Sequence, residues 1–295
     1  MTPVSITKIN HLLQGWPTGT VGLAVWLGQQ GISNDLQHYY RRSGWIEAVG
    51  HGAFQRAGDT PDWLGGLYAV QQQAHLDIHV GGRTALGLQG QAHYLEMNMQ
   101  VAHLFAPLKT NMPAWFKNHD WDVKLELHNT DFLPPNLGLE DVEHKLFKVK
   151  ASGAARAAME CMYLAPNHFE LVEAYQIMEG LATVRPSTVQ KLMEQCRSVK
   201  VKRLFLFMAE KAGHAWFKHL DLSRIDIGAG KRGLADSGVY VPKYQITVPK
   251  ELVILLSVLK YRNQVRLLQH VFLWPFCQIF GEAMSFVQHA AGSTP

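Results

Sequence analysis

Apolar positions recur at three- and four-residue steps at the start of the chain. In "SITKINHLLQGW", Ile6, Ile9, Leu13 and Trp16 make one stripe, with Ser5 or Thr2 as cap. That spacing predicts an amphipathic helix, which "GWPTG" ends. A second helical pattern, "TVGLAVWLGQQG", puts Val21, Ala24, Val25 and Leu27 on its inner side and stops at Gly31, where glycine suits a left-handed C-cap. Ser33 then stands at the N-cap of a third helix running from about Asn34 to Arg42. Leu36 and Tyr40 share its inner face, leaving Asn34, Asp35, Gln37, His38, Arg41 and Arg42 on the exposed side, and Gly44 stops it. "WIEAV" and "AFQRA" read as two short strands around Gly50-His51-Gly52, a tight turn that glycine closes without strain.

Three helices, with a tight connection between the second and third, followed by a glycine hairpin, is the element order of a winged helix-turn-helix. Its third helix can enter a major groove and present Asn, Gln and Arg to base edges. The hairpin is then a wing, from which His51 and Arg56 reach the DNA backbone or the minor groove. The candidate DNA-binding residues are Ser33, Asn34, Gln37, His38, Arg41, Arg42, His51 and Arg56. Charge tempers this picture. Residues 1–60 hold four Lys/Arg (Lys8, Arg41, Arg42, Arg56) against three Asp/Glu (Asp35, Glu47, Asp59), a weak attractor for phosphate. Winged helices also serve as protein-interaction platforms, so that role stays open beside DNA binding.

Beyond residue 60 helical and strand patterns alternate. "PDWLGGLYAVQQQA" is helical, "HLDIHVGG" a short strand, and "RTALGLQGQAHYL" helical again. "MQVAHLFAP" and "WDVKLELHNTDFL" read as strands with "PAWFKNH" as a short helix between them. After about Glu140 the pattern turns helical. The last strong helix, "VKVKRLFLFMAEKAG", has an apolar stripe of Val201, Leu204, Phe205 and Met208 and so places Lys200, Lys202, Arg203 and Lys211 outward. Residues 196–250 carry eleven Lys/Arg against four Asp/Glu, which makes those four side chains a possible second basic surface, with an ordinary solvated helix face as the alternative. The expected fold class is α+β: a winged helix-turn-helix over 1–60, a mixed α/β domain with a helical C-terminal half over 61–252, and an apolar tail of unknown role over 253–295.

With 295 residues, 47% of them hydrophobic and 18% charged, the chain has a globular composition long enough for two cores. The net charge of +4 permits an acidic partner without demanding one. Cys161, Cys196 and Cys277 form neither a CxxC pair nor a zinc pattern, which fits a reducing cytoplasm. "MTPVSITKIN" lacks the basic start and apolar core of a signal peptide, and "LVILLSVL" is far short of the roughly 20 residues a spanning helix needs. A soluble, cytoplasmic, bacterial protein with no membrane partner is expected.

Candidate chemistry is sparse. His75, Asp77 and His79 alternate and offer ligand atoms to one face, as a half-buried strand edge also would. Asp122, Lys124 and Glu126 alternate in the manner of a metal-dependent nuclease centre, and equally in the manner of an exposed strand face. No GxxxxGK[ST] or GxSxG occurs. No catalytic residue, metal or cofactor is therefore assigned, and a nuclease with a winged-helix targeting arm stands as the enzymatic alternative.

Beyond the winged helix, three long stretches carry a family resemblance: "GGRTALGLQGQAHYL" (81–95), "SVKVKRLFLFMAEKAGHAWFKHLDL" (198–222) and "YQITVPKEL" (244–252). In this order, over roughly residues 3–252, the chain resembles the AbiEi-type antitoxins of type IV toxin–antitoxin systems, which act in phage abortive infection. The resemblance implies a winged helix that binds inverted repeats in the promoter of its own operon and represses it. It also implies a C-terminal domain that provides antitoxicity against a nucleotidyltransferase-like toxin, without a required stable complex. Asn34, Gln37, His38, Arg41, Arg42 and His51 carry over as DNA contacts, and the family offers no catalytic residue. A transcriptional regulator with no toxin partner remains the nearest alternative.

Overall fold

The computed structural model describes residues 8–90, 100–234 and 238–253. Residues 1–230 form one compact unit and residues 231–295 a second.

The first unit opens with α1 (Lys8–Gly15), β1 (Gly22–Leu23), α2 (Ala24–Gln29), α3 (Asn34–Arg42), β2 (Ile46–Gly50) and β3 (Ala53–Arg56). The strands form an antiparallel sheet in the order β1-β3-β2, which completes a winged helix. Its own core gathers Ile9, Leu12, Trp16, Leu27, Ile32, Tyr40, Ile46 and Phe54, so the stripe read for the first helix is a packing stripe where it is described. The second helix is shorter than its sequence suggests. Residues 22–23 pair with β3, the helix starts at Ala24, and that phase turns Leu27 inward while Val25 is 72% exposed.

An α/β body follows: α4 (Trp63–Gln72), β4 (His79–Val80), α5 (Gly82–Leu88), β5 (Val101–Ala106), α6 (Ala114–Asn118), β6 (Lys124–Asn129), β7 (Leu139–His144), β8 (Phe147–Ser152), α7 (Ala154–Leu164), α8 (Leu171–Gly180), α9 (Pro186–Gln195) and α10 (Val199–Ala212). Its five strands lie in the order β6-β5-β4-β8-β7. The β5/β6 and β4/β8 pairs are parallel, the β4/β5 and β7/β8 pairs antiparallel. The β7/β8 hairpin corrects the helical reading from Glu140 onward. Phe147, Val149 and Ala151 are buried in alternation with exposed Lys148 and Lys150, and the lysines pair across the strands with Glu143 (2.9 Å) and Asp141 (3.6 Å). In the second unit β9 (Arg232–Gly233), β10 (Gly238–Val241) and β11 (Ile246–Pro249) make a small mixed sheet in the order β10-β11-β9. The expected apolar tail lies, from 254 on, outside the described residues, as does the end of the "RTALGLQGQAHYL" helix beyond residue 90.

The winged helix is joined to the α/β body by specific bonds. The Gln73 side chain accepts from the Leu23 N–H (2.7 Å) and donates to the Val21 carbonyl (3.0 Å). Val21 and Ala53 belong to the large core of the α/β body, not to that of the winged helix. Gly65 on α4 lies so close to the opposite backbone that a Cβ there would stand 2.0 Å from the Gly19 carbonyl oxygen. Gly65→Ala is accordingly expected to destabilise the protein by about 1–3 kcal/mol in urea unfolding. Gly28→Ala is the control: that position opens on space and is expected to be neutral or slightly stabilising.

Candidate nucleic-acid interface

α3 is built to stand out from its sheet. The Ser33 hydroxyl accepts from the Leu36 N–H (3.4 Å) and so caps the first turn. Tyr40 is buried and Leu36 half-buried, which anchors one side. Around the other side, at 100° per residue, run Arg41, Asn34, His38, Arg42, Asp35 and Tyr39, all exposed. Arg41 and Arg42 fall in the last turn, where the helix dipole favours positive charge. The Arg41 guanidinium lies 5.8 Å from the centre of the Phe54 ring on β3, so the recognition helix and the wing meet at that side chain.

Two expected contacts are corrected. Gln37 is not on the exposed side: it is buried, and its amide donates to the carbonyls of Ala24 and Ile32, both at 3.0 Å. It locks α3 onto α2. Arg56 is turned back from the wing, with Nη1 donating to the Trp16 carbonyl and the Thr18 hydroxyl, each at 3.0 Å. His51 is exposed at the hairpin turn beside Gly52, whose φ of +70° closes it. The wing is also fixed from behind. A Cβ on Gly50 would meet Trp115 Cβ at 2.8 Å, and His119 Nδ1 donates to the Val49 carbonyl at 3.2 Å, so α6 supports β2 directly. Gln37→Ala is expected to cost about 1–3 kcal/mol of stability by removing a buried amide and its hydrogen bonds to the Ala24 and Ile32 carbonyls. Asn34→Ala, on the exposed face, is expected to leave the Tm unchanged, and thermal unfolding of both variants checks the contrast.

The second basic surface does not form. α10 packs on α7 and α8 and is buried all round from Val201 to Ala209, so its second face is core as well. Lys202 is buried, and Arg203, with no exposed surface, donates to the carbonyls of Ile227 (2.7 Å), Gly228 (2.9 Å) and Gly230 (2.5 Å). Lys200 caps the end of α7 through the Tyr163 and Ala165 carbonyls, both at 2.6 Å; of the four, Lys211 is the exposed one. The two alternating triplets do not assemble as spaced either. Asp122 precedes β6 with φ +56°, while Lys124 Nζ pairs with Glu126 at 2.7 Å. His75 and Asp77 are exposed and His79 is buried.

His79 instead serves a buried network that spacing could not reveal, 81 residues away on α7. The fully buried Glu160 accepts from His79 Nε2 (3.1 Å), the Ser152 hydroxyl (2.8 and 2.9 Å), Arg156 Nε (2.9 Å) and the Gly82 N–H (2.9 Å). Burial pushes the Glu160 carboxyl up, but the His79 and Arg156 side chains and the Gly82 amide outweigh it and hold the acid below its ordinary range. Gly81 and Gly82 of the "GGRTALGLQ" stretch are there for this packing: a Cβ on Gly81 would come within 2.4 Å of Glu160 Oε2, and Gly82 takes φ +54°.

A winged helix with an exposed, cation-bearing third helix, mounted on an α/β body, defines the class of winged-helix transcriptional regulators. The family profile described as "Transcriptional regulator, AbiEi antitoxin N-terminal domain" matches residues 5–97, and that described as "Transcriptional regulator, AbiEi antitoxin, Type IV TA system" matches residues 99–249. The chain therefore belongs to the AbiEi antitoxin family of type IV toxin–antitoxin systems. Among solved structures it is similar to the RV2827C protein from Mycobacterium tuberculosis, at 16% identity and a TM-score of 0.55, over 85% of this chain and 93% of that one; this is a likeness of fold. No curated protein matches it. Among the described residues no helix is long and apolar enough to cross a membrane.

Proposed function

We propose that this antitoxin is also the repressor of its own operon, reading inverted repeats upstream of its gene with α3 in the major groove and His51 on the wing. The exposed face of α3 is the observation that carries this reading: Asn34, His38, Arg41 and Arg42 lie on one solvent-facing arc, and neither arginine enters an ion pair among the described residues. Tyr39, 62% exposed on the same arc, joins them as a phosphate or sugar contact. The α/β body opposes a nucleotidyltransferase-like toxin in the cytoplasm, without a stable complex with it. Fluorescence anisotropy tests the DNA half of the reading, with the upstream duplex and a scrambled duplex titrated at two salt concentrations. Tight, sequence-selective binding that weakens with salt is expected. Equal, weak binding to both duplexes would refute it.

A further inference from the structure

β5 and β6 bring three ligand-type side chains together. The two strands pair in parallel with His103 opposite Glu126 and Phe105 opposite His128, so residues 103, 126 and 128 lie on one face of the sheet. His103 Nδ1 is 3.0 Å from His128 Nε2 and 3.9 Å from Glu126 Oε2, and the three ligand atoms all lie within 4.8 Å of one another. A tetrahedral zinc ion with ligands at about 2.0–2.1 Å holds neighbouring donor atoms roughly 3.3 Å apart. The two distances from His103 bracket that spacing.

The surroundings orient the set. Lys124 Nζ holds Glu126 Oε1 at 2.7 Å, which leaves Oε2 toward the imidazoles. The backbone N–H of His103 donates to the Thr84 hydroxyl at 3.0 Å, and Phe105 covers His128 with ring centres 5.0 Å apart. The exposed His168 ring stands edge-on to His128 at 6.2 Å and marks the solvent side. Burial, then the neighbouring His128 and Arg83, push the His103 imidazole down to about 4, and burial also lowers His128.

We propose that His103, Glu126 and His128 form a divalent-metal site of the zinc class, with three protein ligands and a fourth position for water or an incoming ligand. The site is independent of the promoter reading and stands or falls separately from it. The competing use of the same 3.0 Å contact is a plain N–H···N hydrogen bond between the rings.

Cobalt titration separates the two. The full chain, stripped with a chelator, is titrated with Co²⁺ while the visible absorption of four-coordinate cobalt is followed, and Zn²⁺ is then added as competitor. Saturable absorption that Zn²⁺ abolishes is expected. His128→Gln and Glu126→Gln should each weaken the affinity by about 10- to 100-fold or more, since loss of a mere supporting partner of a ligand already costs that much. His75→Gln, at an exposed histidine outside the cluster, should leave it unchanged. No saturable absorption in the unaltered protein would overturn the site, as would equal affinity in both ligand variants. If circular dichroism shows His128→Gln unfolded, Glu126→Gln, at a half-exposed strand position, decides alone.

Discussion

Arg41→Ala combined with Arg42→Ala is expected to abolish useful binding to the upstream duplex while leaving the fold intact. A bidentate arginine–base contact is worth about 1–3 kcal/mol, so losing two weakens specific binding by about 2–6 kcal/mol, roughly thirty-fold at the least. If one of the pair contacts phosphate instead, its loss lowers the salt slope by about one and affects all sequences alike. Stability should fall by no more than about 1–2 kcal/mol, from the Arg41–Phe54 contact and the helix dipole, because both side chains are exposed and the core beneath α3 is built from Tyr40, Ile32, Leu27 and their neighbours. That core is distinct from the one in the α/β body, so toxin neutralisation should survive in the double variant. Anisotropy with the promoter duplex, paired with a growth assay against the toxin, reads both halves. Affinity within threefold of the unaltered protein would mean that α3 is not the reader. Loss of both activities in a well-folded variant would contradict a division of labour between the winged helix and the body.

The order of the winged helix was legible because each of its elements is local. Ser33, Gly44 and the Gly50-His51-Gly52 turn each punctuate the chain within a few residues of the element they bound. Which polar residues of α3 face out was less legible. Gln37 lies within the polar run of the helix, but the start of α2 and the turn before α3 supply it with the Ala24 and Ile32 carbonyls, a tertiary fact that no helical repeat carries. The same holds for α10. Its apolar stripe was read correctly, but its polar face is also covered, and the length of Lys200 and Arg203 lets their cationic ends reach backbone carbonyls. The β7/β8 hairpin did leave a trace, in the alternation of Phe147, Val149 and Ala151 with two lysines. Leu139–His144 has no clean period, which hid its partner strand. The family stretches were legible as a resemblance, and the structure gives them a physical content: Gly81 and Gly82 admit Glu160, Arg203 ties α10 to the 227–230 segment, and His214 and Trp216 donate to the Met178 and Leu181 carbonyls.

Glu160→Ala is expected to be among the most damaging single changes in the α/β body, at about 3–5 kcal/mol, because it removes one partner of a buried ion pair and leaves the other. Arg156, 5% exposed, would keep its charge with the Pro134 and Leu137 carbonyls (2.6 and 2.7 Å) but without a counter-ion. The Gly82 amide and the Ser152 hydroxyl would lose their acceptor in the same interior. The network joins β4, the start of α5, the end of β8 and α7, so its loss loosens the middle of the sheet and not an edge. Glu160→Gln keeps the volume but halves the acceptor oxygens, and should fall between the two. Acid acts in the same direction. The folded pKa lies below the ordinary 4.5, so the contribution is fully present above that value and is lost as pH falls through the folded pKa. Urea unfolding at neutral pH and near pH 4 measures both effects, and a loss under about 1 kcal/mol for Glu160→Ala would mean that the cluster relaxes or hydrates instead of holding the body together. DNA affinity per folded molecule should be unchanged, since α3 rests on a core that Glu160 does not touch. Arg41 and Arg42 should therefore cost chiefly binding, and Glu160 stability without binding.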